Sequence, residues 1–140
     1  MSFRKITPHG VTFCGVATML AAATAALTAT APTATAAVTR MGVMPDSNYG
    51  LATNYGTDCA YTAEAYVNNA VDPVSFYDNG VLLGVVRPLG GIALFAWFPK
   101  TTGPHTLSAV QAPDVTPIAT VDVRVGTGVH AGFACLVFGG

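Results

Sequence analysis

Charged side chains are scarce in this sequence: six basic and seven acidic residues stand among 140, and 9% of the chain is charged against 51% hydrophobic. A chain this apolar lacks the low hydrophobicity and high charge that keep a polypeptide disordered, so one packed domain is expected. With a net charge of −1 it also lacks a basic surface with which to neutralise phosphates. Nucleic acid is therefore not expected as a partner. Cysteine is equally sparse, at positions 14, 59 and 135. There is no C-x-x-C and no His/Cys cluster at ligand spacing, which argues against a zinc site or a redox dithiol. No metal and no cofactor is expected.

What is present begins with the N-terminus. Arg4 and Lys5 precede an apolar stretch from Val11 to about Leu27, and Ala-Pro-Thr-Ala-Thr-Ala-Ala then supplies the small residues that signal peptidase requires one and three positions before its cut. Residues 1–37 are read as a cleaved signal peptide, with the mature chain starting at Ala37 or Val38. A retained membrane anchor of about 20 residues fits less well, because the stretch is rich in Thr and ends in a cleavage site. Phe13 before Cys14 rules against lipoprotein processing. Removal of the signal leaves four basic residues against seven acidic ones, a net of −3. It also removes Cys14, so Cys59 and Cys135 form an even pair that an oxidising compartment would join as a disulfide. A secreted, extracellular location is expected, with no stable membrane insertion after cleavage.

From Val38 to Gly140 there is no convincing helical period, only short apolar runs separated by turn residues, as in a sandwich or barrel. The runs are Val38 to Val43, Cys59 to Val67, Val74 to Tyr77, Val81 to Val86, Ile92 to Phe98, His105 to Val110, Ile118 to Val125 and Phe133 to Phe138. Pro45 to Asp58 reads as a polar loop. In Cys59 to Val67 the odd positions are apolar and alternate with Thr62, Glu64 and Tyr66, which puts one set inside. Asn79-Gly80 between two runs is a hairpin signal, because both central residues of a type I′ turn need positive φ.

The order Val74-Ser75-Phe76-Tyr77-Asp78-Asn79-Gly80, then Trp97-Phe98-Pro99, then Gly103-Pro104-His105-Thr106-Leu107-Ser108-Ala109 resembles the bacterial Ig-like repeats of secreted and cell-surface proteins. The resemblance covers roughly Cys59 to Val125. It implies an all-β, Ig-like antiparallel β-sandwich of about seven strands over residues 38–140, with a binding, spacing or adhesive role and no inherited active site. It also implies that Ala93, Phe95 and Trp97 point inward. Ile92, Leu94 and Phe98 would then point outward, giving this strand no polar face and marking those three residues as an interaction face. The alternative is that loops or the C-terminal piece around Phe133 and Phe138 cover them.

The search for chemistry is mostly negative. Ser47, Ser75 and Ser108 lie in no nucleophile motif, and His105 reads as a strand-start residue after a turn. No catalytic residue is assigned and no enzyme is expected. Asp46, Asn48 and Asp58 offer oxygens but lack a calcium-loop pattern. Tyr49, Tyr55 and Tyr61 suggest a carbohydrate platform by ring stacking, although Tyr61 shares a face with Cys59 and belongs with the core. The sequence points to a secreted, non-catalytic binding or adhesion module at or near the bacterial cell envelope, acting on an unidentified protein or envelope partner or on itself. Its rivals are a small-ligand carrier and an enzyme inhibitor presenting the turn Thr101 to Pro104.

Overall fold

The computed structural model describes residues 36–114 and 119–140. The signal-peptide reading falls on residues that lie, except for Ala36 and Ala37, outside this set. The described residues contain ten strands and no helix: β1 (Val38–Met44), β2 (Asn48–Gly50), β3 (Tyr55–Gly56), β4 (Tyr61–Val67), β5 (Val74–Asp78), β6 (Val81–Val86), β7 (Ile92–Trp97), β8 (Gly103–Gln111), β9 (Ala119–Ala131) and β10 (Ala134–Phe138). One sheet has the order β1-β4-β7; the other runs β2-β10-β9-β8-β5-β6, with β3 on β9. Chain segments cross between the sheets from β1 to β2, β3 to β4, β4 to β5, β6 to β7 and β7 to β8. Three strands facing the four-strand block β6-β5-β8-β9 give the Ig-like sandwich. The loop expected at Pro45 to Asp58 departs from that reading, because it contributes the short strands β2 and β3.

Strand chemistry explains the architecture. Along β4 the side chains alternate buried and half-buried without a break, with Tyr61, Ala63, Ala65 and Val67 turned inward. A period of two with one apolar set is what a sheet needs when only one face meets the core. The β5–β6 hairpin closes at Asn79 (φ 48°) and Gly80 (φ 79°), the pair of positive values that a type I′ turn demands. The turn is pinned to β8, where the Asn79 N–H donates to the Thr106 carbonyl and the Thr106 N–H donates to Asn79 Oδ1, both at 2.9 Å.

The core sets large rings against small residues. Trp97, Tyr61 and Phe76 are its largest fully buried members, and Ala63, Ala65, Ala93 and Ala109 line the same interior with no exposed surface. Alanines on neighbouring and facing strands leave the volume that the rings occupy. Tyr61 lies 5.6 Å from Trp97 and Phe76 stacks on Phe95 at 5.4 Å, centroid to centroid. Tyr61 also knits the β2–β3 segment to the core, donating to the Asn54 carbonyl at 3.0 Å and accepting from the Gly56 N–H.

β9 is long because it serves two partners. Its first half pairs with β8, its second half with β10, and β3 joins in parallel at Val125 and Gly126. Cys135 on β10 is bonded there to Cys59, which lies just before β4, with a Cα separation of 6.0 Å. The bond ties the end of the chain to the entry of a central core strand.

Candidate functional site

β7 is an edge strand of the three-stranded sheet, paired only with β4. Ala93 and Trp97 point into the core and Phe95 is half-buried against Phe76. On the other side Ile92 is half-buried, Leu94 is 51% exposed and Phe98, just past the strand, is 48% exposed. The register shows what surrounds them: Ile92 lies opposite Tyr66, Leu94 opposite Glu64 and Ala96 opposite Thr62. One strand further, the Arg40 guanidinium sits over the Tyr66 ring at 3.9 Å, a favourable cation–π contact. The outer face of this sheet is therefore mixed, with Leu94 and Phe98 exposed along the β7 edge and Met44 exposed on β1. Phe133 and Phe138 do not cover the β7 edge. Phe138 ends β10, which pairs with β9 and β2 in the other sheet, and Phe133, in the turn before β10, is 97% exposed.

A second feature lies at the end of the β5–β6 hairpin. Asp78 closes β5, His105 stands near the start of β8 and Trp97 ends β7, so three strands deliver three polar groups to one place. His105 Nδ1 is 2.8 Å from each carboxylate oxygen of Asp78, and Trp97 Nε1 donates to Asp78 Oδ2 at 3.0 Å. The other imidazole nitrogen, Nε2, lies 3.2 Å from Thr101 Oγ1 and 3.0 Å from the Thr101 carbonyl oxygen. The His105 and Asp78 side chains are only 5% and 13% exposed, while Thr101 is exposed. The group opens on a cleft of about 420 Å³, whose lining includes Val81, Leu83, Trp97, Phe98 and Lys100. Asp78 and His105 are 27 positions apart and Trp97 belongs to the opposite sheet. No local motif announces this grouping; only the β5–β8 pairing creates it.

Asp46, Asn48 and Asp58 do not converge. Asp46 accepts from Thr62 Oγ1 at 3.2 Å, buried Asn48 donates to the Pro45 and Ala60 carbonyls, and Asp58 pairs with Lys100 at 2.7 Å. The hydrogen bond from Lys100 holds the Asp58 carboxyl below the usual aspartate range. The tyrosines do not form a platform either. Tyr61 is core and Tyr55 tilts against it at 58°, and burial keeps both phenols above the ordinary tyrosine range. Tyr49 alone of the three is exposed, at the rim of an apolar cleft of about 400 Å³ with Leu51, Ala52, Leu136 and Phe138.

No family profile and no curated protein matches the chain. Among solved structures, it is similar to the CARDB domain of the PF1109 protein from Pyrococcus furiosus, described in complex with di-metal ions, at 20% identity over 65% of this chain and 87% of that one, TM-score 0.45. It is also similar to the fibronectin(III)-like modules of Clostridium thermocellum CbhA, at 20% identity over 61% of this chain and 93% of that one, TM-score 0.45. At this level of likeness the fold assignment rests on the strand order itself.

Proposed function

We propose that the chain is a secreted binding or adhesion module of the bacterial Ig-like type, acting at or near the cell envelope through the apolar edge of β7. The observation that carries this reading is the exposure of Leu94 on β7 and of Phe98 just past it, at an edge where no described strand pairs beyond β7. Apolar side chains on an open strand edge combine two features that promote association, a surface favourable to bury and unpaired backbone groups beside it. A packed sandwich with a buried disulfide supports a rigid module that survives outside the cell.

The test is the double substitution Leu94→Thr with Phe98→Thr, which keeps β-branched residues suited to an exposed strand. Because both side chains are about half exposed, the circular dichroism spectrum and melting temperature are expected to stay close to those of the parent. Self-association in sedimentation, or retention on isolated envelopes, is expected to fall by tenfold or more, about 1.4 kcal/mol. Parent-like association by a folded double variant would end the proposal.

A second reading, a carrier of small apolar ligands, is favoured by the cleft of about 400 Å³ at Tyr49, Leu51 and Phe138, whose lining holds no charged residue. An environment-sensitive apolar dye is expected to bind there and to be displaced from Leu136→Asp. Equal dye binding by both proteins would remove this reading.

A further inference from the structure

Among the described strands, β1 and β7 end one sheet and β2 and β6 end the other, and all but β7 carry a device against pairing with a further strand. β1 has a register shift between Val38 and Arg40 and the charge of Arg40. On β2 the Asn48 N–H donates to the Pro45 carbonyl and the Gly50 N–H to Asn54 Oδ1, both at 3.2 Å, so its own loop takes up these donors. β6 has a register shift that leaves Leu83 opposite no residue of β5. β7 pairs with β4 without a shift and contains no charged residue, proline or glycine.

The register also fixes which backbone groups of β7 remain free. The Val67 N–H donates to the Gly91 carbonyl at 2.9 Å, and hydrogen-bonded pairs recur at every second residue of an antiparallel ladder. Ala93, Phe95 and Trp97 therefore turn their N–H and C=O groups to β4, while Ile92, Leu94 and Ala96 turn theirs outward. The Ile92 carbonyl accepts from the Leu89 N–H at 2.8 Å, as this parity requires, and Pro99 closes the run at the other end. Within β7, Leu94 and Ala96 keep both their N–H and their C=O without a described partner.

We propose that a second copy of this chain adds to this edge, β7 against β7, antiparallel about a two-fold axis at Phe95. The inference rests on the reading of the β7 edge as the contact surface, and it adds the occupant, the register and the mode, which is continuation of the sheet. Leu94 lies opposite Ala96 of the other copy, and each such pair exchanges both backbone hydrogen bonds, so every free group of Leu94 and Ala96 is used. The free run is short and closed at both ends, and β7 itself has the matching length. The side chains fit the same register, because residues opposite each other share a face. Leu94 meets the small Ala96, the half-buried Ile92 meets Phe98, and no charge opposes a charge. β6 borders β7, where a Cβ on Gly84 would touch the Phe95 ring, and its exposed Leu82 and Val85 extend the uncharged surface of this flank. The contact is isologous and closes at a dimer.

Proline separates sheet continuation from contact between apolar side chains alone. In Ala96→Pro the lost N–H points away from β4, where an edge strand tolerates the ring, and no apolar surface is removed. Sedimentation velocity of the full chain over a micromolar concentration series is expected to show a dimer. Ala96→Pro is expected to raise its dissociation constant by about tenfold or more, through loss of one interchain donor per copy, with an unchanged circular dichroism spectrum. The register is read independently. A mixture of Leu94→Cys and Ala96→Cys is expected to form a disulfide-linked dimer under mild oxidation, and neither variant alone to do so, because like positions lie too far apart across the axis. A dimer that Leu94→Thr with Phe98→Thr abolishes but folded Ala96→Pro retains would overturn sheet continuation and leave the contact surface standing. A parent that stays monomeric yet is retained on envelopes would overturn the second copy as occupant. Cross-linking no faster in the mixture than in the single variants would overturn the register.

Discussion

Replacement of either Cys59 or Cys135 by alanine is expected to lower the stability of the domain by roughly 4 to 5 kcal/mol. The bond closes a loop of 76 residues, and closing so long a loop removes a large share of the conformations open to the unfolded chain. Both cysteines are buried, at 0% and 1% exposure, so a single substitution also leaves an unpaired thiol in the core. The corresponding fall in melting temperature is on the order of 20 °C or more for a domain of this size. Because the bond is lost as a unit, the double variant should be little worse than either single one. Urea titration of the parent, the two single variants and the double variant checks this. Losses that simply add, or a loss near 1 kcal/mol, would show that the bond contributes little.

The second large effect is expected at Gly128, which stands on β9 where β3, β10 and the disulfide meet. A methyl group added there would run into the Thr57 carbonyl oxygen, the Cys59 sulfur and the Gly56 backbone. None of these is the free end of a flexible side chain: Thr57 and Gly56 present backbone, and the sulfur is held by its bond to Cys135. Gly128→Ala is therefore expected to cost about 3 kcal/mol, the upper part of the range for overpacking. Gly132, at the β9–β10 turn, has open space where its Cβ would be, but its φ of 67° disfavours side chains, so the cleaner comparison is Thr127→Ala, an exposed neighbour. Thermal melts of the two variants should differ widely. Equal melting temperatures would mean that the three strands part to admit the methyl at little cost.

The Gly128 site shows why part of this molecule was legible in the sequence and part was not. Alternation in Tyr61 to Val67 and the Asn79-Gly80 turn are local signals, set by the strand period and by backbone sterics, and the strands appear within a residue or two of where those signals place them. The inward turn of Ala93 and Trp97 came from the order of motifs, and both residues are buried. The segment Pro45 to Asp58 misled because its strands are two and three residues long. They exist only because β9 and β10 offer their edges, and nothing in their own sequence marks them. The apolar run of β7 was visible as a strand without a polar face. That the sheet face around it is mixed depended on the cross-strand neighbours Thr62, Glu64 and Tyr66.

The polar cleft lies at the far end of that scale. Asp78 stands next to the Asn79-Gly80 turn but ends β5, and His105, read as the start of a strand, is the third residue of β8. Their contact follows from the pairing of β5 with β8, in which Asp78 lies opposite Leu107, and from the crossover that brings Trp97 in from the other sheet. The sequence alone determined an all-β chain, its central hairpin and most of its strand boundaries, though not the extension of β9 from Val125 to Ala131, because period and turn sterics act over a few residues. The tertiary structure decided which glycine must remain glycine, which apolar side chains stay exposed, and which acid meets which histidine. Those outcomes depend on distances between residues far apart in the chain, and such distances are set only when the two sheets pack.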